Sequence, residues 1–184
     1  MSKIKDVVLM SLNELDKIYK DSLLTASSEN QNRLIFNDRP MKANIFMSIL
    51  LEKAKHEVNI CSHNLNSEVT KLNGFEEALD KVLQNKKIKV RILVNEATDN
   101  KNIQKLLDKY INKDYGNELR FLNDNEILSK VFEGEKHFTT IDGLSYRMEH
   151  DTDGYQAKGN FNDPEMSTIL NSLFDKLFTN NYSK

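Results

Sequence analysis

The side chains with the clearest chemical potential in this 184-residue chain surround His137. An imidazole can act as a nucleophile or as a general base. Arg147 and Glu149 follow it and alternate with apolar residues, which puts both charges on one face if the segment is a strand. They could pair with each other or with Asp142 and form a polar cluster beside His137. The alternative is an ion-pair network without chemistry, around a strand histidine whose ring is simply hydrogen-bonded.

The remaining histidines are weaker candidates for a site. His63 follows the apolar segment 58–62, and open parallel sheets bind ligands at the ends of such strands; otherwise it is an ordinary loop histidine. His150, Asp151 and Asp153 have donor groups that suit a divalent cation, although acidic hairpin tips are commonly just solvated. One cysteine, four dispersed histidines and six scattered glycines give neither a Cys/His metal cluster nor a phosphate loop. We therefore expect no metal and no cofactor.

Composition limits the classes of partner. The chain has 26 basic and 28 acidic residues, a formal net charge of −2, and lacks the basic excess of nucleic-acid binders. Residues 112–165 carry six basic and twelve acidic residues, a difference of −6, which would repel a phosphodiester. No apolar run approaches the roughly 20 residues of a membrane span, and Cys61 cannot form an internal disulfide. These features predict a cytoplasmic protein bound to neither nucleic acid nor membrane.

The apolar periodicity divides the chain into two parts. Residues 4–24 have apolar residues at three- and four-residue steps, which predicts an amphipathic helix. The polar stretch 25–32 (TASSENQN) is typical of a linker. We therefore expect an N-terminal helix and linker over residues 1–30, appended to a main domain over residues 31–184.

Helices and short strands alternate from residue 33 onward. Helices are predicted over 42–56, 74–84 and 100–111, and at the C-terminus, where Asp163 can cap and Pro164 suits the first position. Strands are predicted over 34–36, 58–62, 88–94, 119–122, 128–132, 138–141 and 145–148. An Asp142-Gly143 turn joins the last two strands. The strand–helix alternation predicts an α/β fold with parallel strands in its first half.

The order of these segments resembles the phospholipase D-like family. Its opening resembles Leu51-Glu-Lys-Ala-Lys55, then Val58-Asn-Ile-Cys-Ser62, then Lys87-Ile-Lys-Val-Arg-Ile-Leu-Val94. The family signature is His-x-Lys-x-x-x-x-Asp, followed by Gly-Ser-x-Asn-Phe and a helix. Here Asp142 matches the signature aspartate, and Asn160 with Phe161 matches the downstream element. The resemblance covers about 150 residues and implies a mixed sheet flanked by helices.

The signature residues that do chemistry in that family are replaced. Counting back from Asp142, Glu135 occupies the place of the nucleophilic histidine and His137 that of the lysine. Starting the motif at His137 puts Thr139 at the lysine and Leu144 at the aspartate, so that register fails as well. The resemblance implies phosphodiester transfer through a phosphohistidine, in which lysines and asparagines neutralise the phosphate. A glutamate is a poor substitute for that nucleophile.

Three hypotheses follow. The first is a catalytically degenerate phospholipase D-like domain that works as a binding or regulatory module and forms a homodimer. Its ligand would lie near Glu135, His137, Asp142 and Asn160, with Arg147 and Glu149 in the polar cluster, or a protein partner would use the N-terminal helix. The second is an active phosphodiesterase or nuclease with a site centred on His137, paired with its copy across a two-fold axis as the resemblance implies. The third is a structural protein with a filled cleft.

Overall fold

The sequence folds as one mixed sheet with helices on both faces in the computed structural model. The structure describes residues 12–65, 67–111, 113–122, 137–151 and 155–180. In chain order the elements are α1 (Leu12–Ser28), β1 (Ile35–Asn37), α2 (Pro40–Glu52), β2 (Glu57–Ser62), α3 (Asn73–Gln84), β3 (Lys89–Val94), α4 (Lys101–Tyr110), β4 (Glu118–Phe121), β5 (Phe138–Ile141), β6 (Ser145–Asp151), β7 (Gln156–Asn160) and α5 (Pro164–Asn180). No described helix is long and apolar enough to cross a membrane.

The sheet has the strand order β1-β7-β6-β5-β2-β3-β4. Strands β2, β3 and β4 are parallel, whereas β5, β6, β7 and β1 continue the sheet antiparallel from β2. The parallel half confirms the prediction made from the strand–helix alternation. It also explains why these strands have nearly continuous apolar sequences, since both faces are covered.

Two apolar clusters lie on the two faces of the sheet. The larger one joins α1, α2, α3 and α4 to the face that carries Val58, Ile60 and Ile92. The smaller one joins α5 to the opposite face, where Cys61 and Phe138 lie. Burying both faces supplies most of the favourable free energy, at about 25 cal/mol for each Å² of apolar surface removed from water.

Local signals fix several element ends. The Asn100 side chain accepts hydrogen bonds from the N–H groups of Asn102 and Ile103 and so caps α4. Asp163 Oδ1 accepts from the N–H of Met166 at 3.0 Å, which confirms the predicted cap of α5. At the turn between β5 and β6, Asp142 and Gly143 both have positive φ, as the predicted turn requires.

Three sequence-based expectations are wrong or incomplete. The expected linker 25–32 is helical as far as Ser28, and Leu23 and Ala26 of α1 are fully buried in the larger cluster, so α1 is not a simple appendage. Helix α2 begins at Pro40 and ends at Glu52, earlier than predicted at both ends. Strand β7 was not predicted. The strand predicted over residues 128–132 lies outside the described residues.

Candidate functional site

His137 directly precedes β5, at the end of this strand that lies beside Glu149 of β6. Its backbone carbonyl accepts the N–H of Glu149 at 2.8 Å. Its ring nitrogen Nδ1 lies 2.9 Å from Glu149 Oε2. The same strand pairing that aligns the backbones therefore brings the imidazole and the carboxylate together.

A chain of buried polar groups holds Glu149 in place. Arg147 Nη2 lies 2.8 Å from Glu149 Oε1, and Arg147 Nε donates to Asn37 Oδ1 at 3.0 Å. Asn37 donates in turn to the carbonyl of Tyr155 at 2.6 Å. Arg147 is 4% exposed and Glu149 6% exposed. Their alternation along β6 puts both on one face, as the sequence predicts.

The ionised carboxylate of Glu149 determines that Nδ1 of the His137 ring carries a proton. Burial alone would raise the pKa of this carboxyl, but the hydrogen bond from His137 and the neighbouring Arg147 charge lower it to about 2. An ionised carboxylate can only accept hydrogen bonds, so Nδ1 of His137 must carry a proton. Nε2 of His137 is buried and has no hydrogen-bond partner within the described part of the chain. The hydrogen bond at Nδ1 therefore fixes the orientation of the ring and leaves Nε2 as the nitrogen that could react or bind a ligand.

The cleft in front of His137 is small. It has a volume of about 40 Å³, little more than the share of one water molecule in the liquid. Apolar side chains of α2, β2 and α3 form much of its lining, together with the hydroxyls of Ser62, Ser67 and Thr70. Thr70 Oγ1 donates to the Leu65 carbonyl at 2.8 Å, so this hydroxyl is already engaged within the protein.

Asp142 does not join the cluster around His137. It lies beyond the other end of β5, where its carboxylate accepts the backbone N–H groups of Lys55, His56 and Glu57 at 2.7–2.8 Å. This arrangement ties the start of β2 to the β5–β6 turn. Asp142 therefore has a structural role in the fold. Of the two pairings that the sequence leaves open, Arg147 and Glu149 pair with each other and not with Asp142.

Asn160 also lies away from His137. It pairs across the sheet with Tyr146, near the end of β6 that is distant from Glu149. Its side chain donates to Asn32 Oδ1 at 2.8 Å and accepts the N–H of Asn162 at 2.9 Å. These contacts join β7 to the segment after α1, so the predicted site divides into two groups.

The other candidates have the following positions. Glu135 and Asp153 lie outside the described residues. His63 follows β2, and its Nε2 lies 3.6 Å from Glu96 Oε2. Across the ranges that the structure describes, no three His, Cys, Asp or Glu side chains are placed to hold a metal ion.

Sequence reasoning missed Asn37, the residue that holds Arg147. It belongs to β1, which pairs with β7 and not with its neighbour in the chain. No local pattern marks an asparagine at the end of a three-residue strand as a partner for an arginine 110 positions away. Only knowledge of the strand order could have identified it.

The fold is similar to solved structures of low sequence identity. Nuc from Salmonella typhimurium, a phospholipase D family member, matches with a TM-score of 0.57 and 11% identity, over 84% of this chain and 99% of that one. NucT from Helicobacter pylori matches with a TM-score of 0.56 and 13% identity, over 84% of this chain and 100% of that one.

TrmBL2, an archaeal chromatin protein with a novel mode of DNA binding, matches with a TM-score of 0.53 and 14% identity. That match covers 99% of this chain and 65% of TrmBL2. No protein-family model and no curated protein matches the sequence. The strand order, the flanking helices and these structural matches together show that the chain has a phospholipase D-like α/β fold.

Proposed function

We propose that this chain is a phospholipase D-like domain that no longer hydrolyses phosphodiesters and works as a homodimeric binding or regulatory module. The observation that carries this proposal is the engagement of Arg147. Its guanidinium is bound by Glu149 and Asn37, so its charge is already compensated. It is not free to neutralise a phosphate in front of His137.

Phosphodiester transfer requires positive groups aimed at the phosphate oxygens. In the motif alignment His137 takes the place of the family's lysine, and Glu135 takes that of its nucleophile. Glu149 is ionised beside His137, and because Arg147 balances its charge, the pair provides no free cation for a phosphate. A phosphodiester at this position would meet no uncompensated cation among the described lining residues, and the small cleft leaves it little space.

The match to TrmBL2 supports a binding role. It extends over 99% of this chain and therefore includes α1. TrmBL2 is described as a chromatin protein that binds DNA. The net charge of −2 gives no support for DNA contact by the present chain. We propose that its partner is a protein or a small ligand, with α1 as one contact surface.

Exposed apolar side chains on α1 support a protein contact. Leu15 is 42% exposed and Ile18 is 51% exposed, three residues further along the same helix face. On the other side of this part of α1, Asp16 is bound by Arg39 at 2.5 Å. This ion pair anchors the helix to the domain while Leu15 and Ile18 stay uncovered. For this surface of α1, the protein partner that we propose is a second copy of the chain.

Hydrolysis assays test the loss of catalysis. Wild type and His137→Ala would be incubated with bis(p-nitrophenyl) phosphate and with single- and double-stranded DNA, with and without chelator. We expect no turnover above the uncatalysed rate by either protein at high concentration. Turnover that disappears in the His137→Ala variant, with the fold retained by circular dichroism, would disprove the proposal.

A second candidate function is an active phosphodiesterase with a remodelled site. One observation favours it: His137 is oriented by a carboxylate through Nδ1, while Nε2 has no partner among the described residues. Such an arrangement suits a nucleophile or general base. The same assay separates the two functions, because only this candidate predicts turnover that depends on His137.

A further inference from the structure

A second pocket lies at the carboxyl ends of β3 and β4, next to α4. Its volume is about 150 Å³, the size of an engineered apolar cavity that accommodates a benzene ring. Its apolar lining comes from Leu65, Val94, Leu107, Leu119 and Phe121. The carboxyl ends of parallel strands are the usual place of ligands in open α/β sheets.

In the described part of the chain, charged residues at this pocket have a single sign. Glu96 and Asp108 line it, and no lysine or arginine is among the described lining residues. Glu96 lies 3.6 Å from His63 and remains largely exposed. Lys113 donates to the backbone carbonyl of Asp108 and is not part of the lining. The two carboxylates therefore give the rim of an apolar pocket a negative charge.

Leu65 separates this pocket from the cleft of His137, since it lines both. It is 4% exposed and has a φ of 55°, a left-handed conformation that is costly for a large side chain. Its carbonyl accepts hydrogen bonds from Thr70 and Thr98, which hold the backbone in this form. The residue that separates the two cavities therefore has a strained backbone conformation.

We infer that the pocket of β3, β4 and α4 binds a small organic cation, an amine with a single aromatic ring or an apolar body of that size. The apolar body would lie against Leu65, Val94 and Leu107, and the ammonium would lie at the rim near Glu96 and Asp108. Size and charge both favour this class over a phosphate ester. The inference concerns a different cavity from that of His137 and does not depend on the hydrolysis assays.

Titration by NMR tests it with three probes that share one ring. Benzylamine carries the positive charge, benzyl alcohol is its neutral counterpart and benzoate is its anionic counterpart. We expect benzylamine to shift the signals of Val94, Leu107 and Leu119 saturably. We also expect it to bind up to about fivefold more tightly than benzyl alcohol, as an ion pair at a partly exposed site would give. Benzoate should bind more weakly still.

Variants separate the charge from the apolar contact. Glu96→Gln and Asp108→Asn should each weaken benzylamine by about fivefold and leave benzyl alcohol unchanged. Asp99→Asn, an exposed acid outside the lining, is the matched control. The inference is overturned if benzylamine causes no saturable shift, or if benzyl alcohol or benzoate binds as tightly. It is also overturned if the variants bind like wild type, or if the shifts centre on the residues around His137.

Discussion

At the scale of single residues, the main feature is a line of buried polar groups that ends at His137. The sequence predicts that Arg147 and Glu149 share a face, because strand alternation depends only on their spacing. It does not predict that His137 binds Glu149. Nor does it predict that Asp142 accepts hydrogen bonds from three backbone N–H groups elsewhere in the fold. Those choices depend on how the strands align.

Glu149→Gln should destabilise the protein at neutral pH by about 3 kcal/mol, because it leaves the buried Arg147 without its counter-charge. The folded-state pKa of Glu149, about 2, lies below the ordinary value of 4.5 for this carboxyl. Its contribution to the free energy of unfolding is therefore fully present above about pH 5 and declines as the pH falls towards 2. Urea unfolding at pH 7 and pH 3 should show a smaller difference between variant and wild type at pH 3.

Glu118→Gln is the control for this prediction. Glu118 also forms ion pairs, with Lys89 and Arg120, but at a partly exposed position. Its replacement should cost less than about 1 kcal/mol. Equal losses for the two variants, or a loss at Glu149 that does not change with pH, would show that the buried ion pair is not what stabilises this region.

At the scale of elements, the sequence predicts best where burial is most complete. Strands β2 and β3 are covered on both faces and have apolar, β-branched sequences, so their positions agree with prediction to within one residue. Strand β7 contains Lys158, Gly159 and Asn160, residue types that are unfavourable or neutral in strands. It forms because β6 and β1 pair with it on either side.

Gly159 shows what this position in β7 requires. A Cβ atom there would lie 2.4 Å from the carbonyl oxygen of Tyr146 and 2.7 Å from the ring of Phe46. Because the nearest atom belongs to the backbone, rotation of a side chain cannot relieve the contact. We expect Gly159→Ala to lower the free energy of unfolding by about 3 kcal/mol, measured by urea denaturation.

Gly116→Ala is the matched control for Gly159→Ala. Among the described residues other than its chain neighbours, no atom lies within 4 Å of a Cβ at Gly116, and its φ of 76° is the obstacle that remains. Its replacement should cost about 1 kcal/mol. A loss at Gly159 no larger than that at Gly116 would mean that β7 moves easily away from β6 and α2, contrary to this close packing.

At the scale of the whole molecule, the strand order determines what the sequence can and cannot show. The alternation of helices and strands predicts the fold class, and the motif resemblance predicts the phospholipase D-like arrangement that the structural matches show. The position of β1 beside β7 is a long-range contact that no periodicity contains. For the same reason, Asn37 was missed and Asp142 and Asn160 were expected too close to His137.

The proposed homodimer gives the last prediction. If Leu15 and Ile18 form the contact between two copies, Ile18→Glu should raise the dissociation constant at least about tenfold, because it introduces a charge into an apolar interface. Sedimentation equilibrium over a range of concentrations would measure it. Leu24→Glu is the control: Leu24 is similarly exposed on α1, but it lies about 180° around the helix from Leu15 and should leave association unchanged. A wild-type protein that stays monomeric at all concentrations, or equal effects of both substitutions, would exclude this face of α1 as the dimer contact.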